Sequence, residues 1–189
     1  MNVRFFPITA VVLSLLTGCI STEKKKPEPA AVAPRPPAED IAAKFATTPG
    51  SPRIRLDLGD QRAYYTKGGT LVTSSRISTG KPGYGTPKGS FAVSQKVEHY
   101  VSRSYGKIVD ASGDTVTADA DSRKDSVPEG GRFVGAPMPY FMRFNGGIGM
   151  HAGIVPDYPA SHGCVRLPRK MARLFFENTP IGTPVIVTD

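Results

Sequence analysis

From residue 53 the chain alternates: Ile54, Leu56 and Leu58 are apolar while Arg53, Arg55 and Asp57 are charged. That is the period of a strand with one buried and one wet face. Gly59-Asp60 turns the chain, and residues 63–66 and 70–77, joined through Lys67-Gly68-Gly69, read as two further strands of a meander. Short strands are also predicted at 91–97, 141–144, 147–151 and 184–188. Only one stretch has a clear helical period: Leu167, Met171, Leu174 and Phe175 share one face, with Pro168 in the first turn and Asn178 at the end. Residues 99–139 have weak periodicity, with Asp110, Asp114, Asp119, Asp121 and Asp125 among glycines and lysines. They read as a long polar excursion of the kind that forms lids or substrate walls, without the spacing of a calcium loop.

Composition agrees with a β-rich body. Of 189 residues, 20 are glycine and 18 proline, which disfavours long helices; 39% apolar residues suffice for one core. The first residues do not belong to that core. A basic start at Met1–Arg4 precedes a mostly apolar stretch at 5–16, the length of a signal-peptide core and too short for a membrane span. It ends in Leu16-Thr17-Gly18-Cys19, which resembles the lipobox of bacterial lipoproteins. The resemblance implies a signal peptide over 1–18, a lipidated Cys19 and a chain anchored to a membrane by acyl groups; Ile20 after the cysteine points to the outer membrane of a cell with two membranes. Residues 19–50, with Pro27, Pro29, Pro34, Pro36 and Pro37 behind three lysines, read as an extended tether, and 41–47 as either a brief helix or more linker. The folded domain is expected over 51–189.

The formal net charge is +8. An exported chain rarely meets nucleic acid, and the arginines form no helical stripe, so an anionic envelope polymer or a carboxylate-bearing substrate is the better partner, with simple solubility as the alternative reading of the charge. There are two cysteines, Cys19 and Cys164. With the first acylated, the second has no partner, and its neighbours are polar and cationic rather than apolar, which favours a thiolate.

A cysteine that transfers acyl groups needs a proton acceptor, donors aimed at the oxyanion and a group that orients the acceptor. His151 and His162 lie shortly before Cys164, and spacing alone does not choose between them as the base. Gly163 lacks a Cβ, so its amide and that of Cys164 are candidate oxyanion donors. Arg166 is always charged and suited to lowering the thiol pKa or clamping a carboxylate. Singly, each has a bland reading: a surface ion pair, a structural histidine, an inert thiol. Together in one hexapeptide these readings are weaker. Tyr140 and Met142 are candidates to line the site, with strand core as the alternative.

Ser161-His162-Gly163-Cys164-Val165-Arg166, with His151 upstream, resembles the motif of the YkuD-type L,D-transpeptidases, which are cell-wall enzymes. Ile77-Ser78-Thr79-Gly80-Lys81 and Thr86-Pro87-Lys88-Gly89-Ser90-Phe91 resemble two further motifs of that family. The resemblance covers residues 53–189 and implies a mainly β fold, a mixed β-sheet sandwich with one or two short helices. It makes Cys164 the nucleophile and His151 the base, oriented by the backbone carbonyl of Ala152, with Ser161, His162, Gly163 and Arg166 shaping the oxyanion and substrate pocket. It implies no metal or organic cofactor. The substrates would be peptidoglycan stem peptides: a donor tetrapeptide loses its terminal D-alanine to form a Cys164 thioester. The acyl group then passes to an amine of a second stem peptide, to a lysine of an envelope lipoprotein, or to water. Only nine residues separate His151 from Ser161, fewer than in many family members, which implies a different pocket wall at 152–160.

Two rivals stand beside this reading. One is a cell-wall cysteine hydrolase using the same thiol and histidine. The other is a non-catalytic lipoprotein that binds metal or wall through His151, His162 and Cys164, whose spacing fits no common zinc pattern.

Overall fold

The computed structural model describes residues 38–189. The signal peptide expected over 1–18, Cys19 and the proline-rich stretch before residue 38 lie outside the described residues. The strands are β1 (Pro52–Asp57), β2 (Arg62–Lys67), β3 (Thr70–Arg76), β4 (Gly89–Ala92), β5 (Gln95–Val109), β6 (Thr115–Asp121), β7 (Arg132–Asn145), β8 (Ile148–Ala152), β9 (Val165–Leu167) and β10 (Pro184–Thr188); the helices are α1 (Ala38–Thr47) and α2 (Arg169–Asn178). They build two five-stranded sheets, ordered β3-β2-β1-β10-β4 and β6-β5-β7-β8-β9. Each is mixed, since β1 runs parallel to β10 and β8 parallel to β9 while the other pairs are antiparallel.

The two sheets share one core. Ile54, Leu56, Tyr65, Val185 and Val187 of the first pack with Met142, Phe144, Met150, Val165 and Leu167 of the second. The alternation of β1 therefore has the predicted consequence: its apolar residues face this core. The predicted strand at 91–97 divides in two, because the chain changes sheets there. The Val93 amide donates to Thr183 at 2.9 Å and the Ser94 amide to Arg143 at 2.8 Å, so β4 closes the first sheet and β5 opens beside β7 in the second.

Two expectations need correction. The excursion at 99–139 is not loop but most of β5, all of β6 and the first half of β7. Its periodicity is weak because much of this ladder is wet: in β5 only Ser102, Ile108 and Val109 are buried. Its aspartates organise the hairpin. Asp110 accepts from the amides of Ser112 and Asp114 in the β5–β6 turn, and Asp121, held down to about 2 chiefly by the Arg123 guanidinium, ends β6. The segment at 38–47 is also not tether. Phe45 is 1% exposed, its ring packs edge-on to Tyr65 at 4.7 Å and against Phe175 at 6.1 Å, and Lys67 Nζ donates to its carbonyl.

Helix α2 begins after Pro168, so Leu167 belongs to β9. Ala172 and Phe175 are buried while Met171 and Leu174 are partly so. Asn178 ends the helix, its Nδ2 donating to the Leu174 carbonyl, and the buried Tyr65 hydroxyl donates to the carbonyl of Asn178 at 2.5 Å. No helix among the described residues is long and apolar enough to cross a membrane.

Candidate active site

The wet strands and the hexapeptide meet in one cavity of about 500 Å³. Tyr105 and Lys107 of β5, Asp119 of β6, Met138 of β7 and His151 of β8 form its walls, together with Ser161, His162, Cys164 and Arg166. Residues of the excursion thus line the cavity, and they do so from strands rather than from loop. Parallel pairing of β8 with β9 sets His151 opposite Arg166, and Cys164 immediately precedes β9.

His151 is 5% exposed and its Nδ1 lies 2.9 Å from the Ala152 carbonyl. A carbonyl only accepts, so Nδ1 carries the hydrogen and Nε2 keeps a lone pair. Burial, with a smaller contribution from Arg166, lowers its pKa to about 4, so the ring is neutral at pH 7. Behind it Phe141 approaches at 6.5 Å between ring centres and itself stacks on Tyr100 at 4.3 Å. Phe141 opens the strand predicted at 141–144, but nothing in the sequence marks its pairing with Val97 of β5 or its place behind His151.

The neighbours of Cys164 were expected to favour a thiolate. Burial instead pushes the thiol up, outweighing a backbone hydrogen bond from Gly149 and the fields of Arg143 and Arg166. Both the thiol and the His151 imidazole, which line the same cavity, are therefore neutral at pH 7.

His162 has a different set of neighbours. Its ring stacks on Tyr105 at 4.2 Å and 11°, meets Tyr84 edge-on at 4.5 Å, and its Nε2 lies 3.7 Å from Asp119 Oδ2. Asp119 also accepts from Lys81 Nζ at 2.8 Å. Burial lowers the His162 pKa in spite of Asp119, so this ring too is neutral at pH 7. It is a packed wall of the cavity. Arg166 lines the same cavity and, among the described residues, joins no ion pair within 4.0 Å.

Two further expectations change. Gly163 does not offer a free amide: its N–H donates to Ser161 Oγ at 3.1 Å, and that hydroxyl donates to the carbonyl of Cys164. A serine two residues before the glycine folds back over it, and the left-handed φ of 111° at Gly163 permits the turn. Nor do Tyr140 and Met142 line the cavity. Met142 is fully buried in the shared core, and Tyr140 packs on Phe176 of α2 at 5.8 Å. The backbone of Tyr140 is left-handed, at φ 60°. Residues 134–138 of β7 line the cavity, whereas 140, 142 and 144 pack on the core.

The hexapeptide is clamped from outside by residues 77–81. Ser78 exchanges both backbone hydrogen bonds with Arg166, and Thr79 accepts from the amides of Ala160 and Ser161. Gln61, which sequence reading passed over, holds that clamp: its Oε1 accepts from Thr79 N–H and its Nε2 donates to Thr79 Oγ1. The wall at 152–160 is tied down through Ser78 Oγ, which donates to the Tyr158 carbonyl, and through the Arg76–Asp157 ion pair.

The metal-binding rival finds no support in this geometry. Among the described residues no three His, Cys, Asp or Glu side chains converge in a metal-holding group.

Comparison with known proteins identifies the family. A family model for the L,D-transpeptidase catalytic domain, YkuD, matches residues 51–187. No curated relative matches the chain in sequence. Among solved structures, an L,D-transpeptidase from Mycobacterium smegmatis superposes with a TM-score of 0.56 at 20% identity, covering 74% of this chain and 59% of that one. One from Stackebrandtia nassauensis gives 0.55 at 20% identity, over 79% and 65%, and one from Enterococcus faecium 0.53 at 26% identity, over 74% and 50%. The chain thus spans less than two thirds of the length of these relatives. With the matched region covering both sheets and the cavity, the chain belongs to the YkuD family of L,D-transpeptidase catalytic domains.

Proposed function

We propose that this protein is a peptidoglycan L,D-transpeptidase in which Cys164 is the nucleophile and His151 the general base. The observation that carries the reading is the shared cavity. A half-buried thiol and an imidazole whose Nδ1–H is fixed on Ala152 line the same cavity as an arginine that has no carboxylate partner within 4.0 Å among the described residues. Because both groups rest neutral, proton transfer accompanies attack rather than preceding it. Nε2 of His151 takes the Cys164 proton as Sγ adds to the donor carbonyl. The tetrahedral adduct collapses to a thioester when Nε2 returns that proton to the departing nitrogen, releasing D-alanine. In the second half an acceptor amine attacks the thioester, His151 takes its proton, and the thiol is regenerated as the new amide forms. Arg166 and Lys107 make the cavity attractive to the carboxylates of stem peptides.

We place the protein in the cell envelope, held by lipidated Cys19 on a membrane, with the proline-rich stretch before α1 as the spacer that lets the body reach the wall. Its acceptor is a second stem peptide or a lysine of an envelope lipoprotein. Incubating the purified protein with disaccharide-tetrapeptides and analysing the products by mass spectrometry tests the reaction. Crosslinked dimers with released D-alanine support the transpeptidase; tripeptide monomers alone identify a hydrolase.

A further inference from the structure

The Thr86-Pro87-Lys88-Gly89-Ser90-Phe91 turn supplies no wall of the cavity, yet its first residue touches the hexapeptide. Thr86 is 6% exposed. Its Oγ1 accepts the Gly80 N–H at 3.0 Å and donates to the Gly163 carbonyl at 2.8 Å, across 77 positions of sequence. The direction is fixed: an N–H only donates, so the hydroxyl hydrogen is left for Gly163. The approach is tight as well. A Cβ at Gly80 would lie 1.9 Å from the Tyr84 carbonyl, so only glycine lets residues 80–86 fold back on themselves at this spacing.

This contact bears on chemistry because of the peptide that follows. The peptide bond between Gly163 and Cys164 is trans, so its N–H points opposite to its C=O. Anchoring the carbonyl on Thr86 therefore turns the Cys164 N–H away from residues 80–86. With the Gly163 amide occupied by Ser161 Oγ, the Cys164 amide is the remaining candidate of the two for stabilising the oxyanion. We propose that Thr86 is a positioning residue for acyl transfer, holding the Gly163 carbonyl so that the Cys164 N–H is aimed at the oxygen that becomes negative. This inference rests on the reading that Cys164 is acylated.

The test compares two reactions of one sulfur. Acylation by imipenem, a carbapenem, develops charge on a carbonyl oxygen and needs the donor; alkylation by iodoacetamide displaces iodide and does not. Both rates are followed by intact-protein mass spectrometry for the wild type, Thr86→Val, which keeps the shape but loses the hydroxyl, and Thr86→Ser, which keeps the hydroxyl. Thr86→Ala serves as a second hydroxyl-free variant where valine is not accommodated. The expected result is acylation slowed about 10²-fold in the hydroxyl-free variants, recovery in Thr86→Ser, and unchanged alkylation in all. Equal acylation of wild type and hydroxyl-free variants, or a parallel fall in both reactions, overturns the positioning role alone. A wild type that is alkylated but never acylated overturns it together with the acyl-transfer reading.

Discussion

Nδ1 of His151 donates to the carbonyl of Ala152, its own neighbour along β8, at 2.9 Å. The orienting acceptor is a strand backbone rather than a carboxylate, so the imidazole is held in one tautomer without being given extra positive charge. Replacing His151 by glutamine is expected to lower turnover by about 10²- to 10⁴-fold, the usual worth of a general base, with little change in KM. Steady-state release of D-alanine measures both; a loss confined to KM contradicts the role.

The same burial makes His151 a pH-dependent element of the fold. Its folded pKa is about 4 against an ordinary 6.5, so between those values the unfolded chain binds more protons. Its contribution is complete above about pH 6.5 and is lost as pH falls towards 4, by up to roughly 3 kcal/mol. His162 shifts in the same direction, so urea unfolding at pH 7 and pH 4.5 is compared between wild type and His151→Gln. A smaller acid loss in the variant is expected; identical losses contradict a buried neutral His151.

Cys164 was read in the sequence as a thiolate on the strength of its cationic neighbours, and the structure reverses that because burial outweighs them. The rate of iodoacetamide alkylation should therefore keep rising through the ordinary thiol range and level off above it. A plateau already reached near pH 6 requires a preformed ion pair.

His162, stacked on Tyr105 and edge-on to Tyr84, is expected to act through shape. A His162→Phe variant retains the stack and should retain acylation of Cys164, whereas His162→Ala opens the wall and raises KM more than it lowers kcat. Abolished acylation in the phenylalanine variant would make this ring, not His151, the base.

Phe45 binds α1 to the body through Tyr65 and Phe175. Truncating it to alanine should cost about 3–5 kcal/mol, read as a lowered urea midpoint. An unchanged midpoint would mean that the helix contributes nothing to the core.

What was legible in the sequence follows from how much each residue is constrained by its immediate neighbours. The alternation of 53–58, the three ordered motifs and the apolar face of α2 are local, and they were legible apart from Leu167, which belongs to β9. The ladder of β5, β6 and β7 was hidden because its faces meet water and a polar cavity, where no hydrophobic period is required. Phe45 was hidden for the opposite reason, a single aromatic among alanines behind a proline-rich run. In the site, the hexapeptide identified its own members but not their hydrogen bonds. That Ser161 occupies the Gly163 amide depends on backbone angles, including the left-handed φ of Gly163, that side-chain pattern does not encode, and the packing of Tyr140 and Met142 on the core depends on which end of β7 meets the cavity.

The most direct measurement is transpeptidation by the wild type and a Cys164→Ser variant, with tetrapeptide donor and an amine acceptor, counting D-alanine released per crosslink formed. The account predicts one D-alanine per new amide bond in the wild type and neither product in the variant. Crosslinking that survives the loss of the Cys164 sulfur would contradict it.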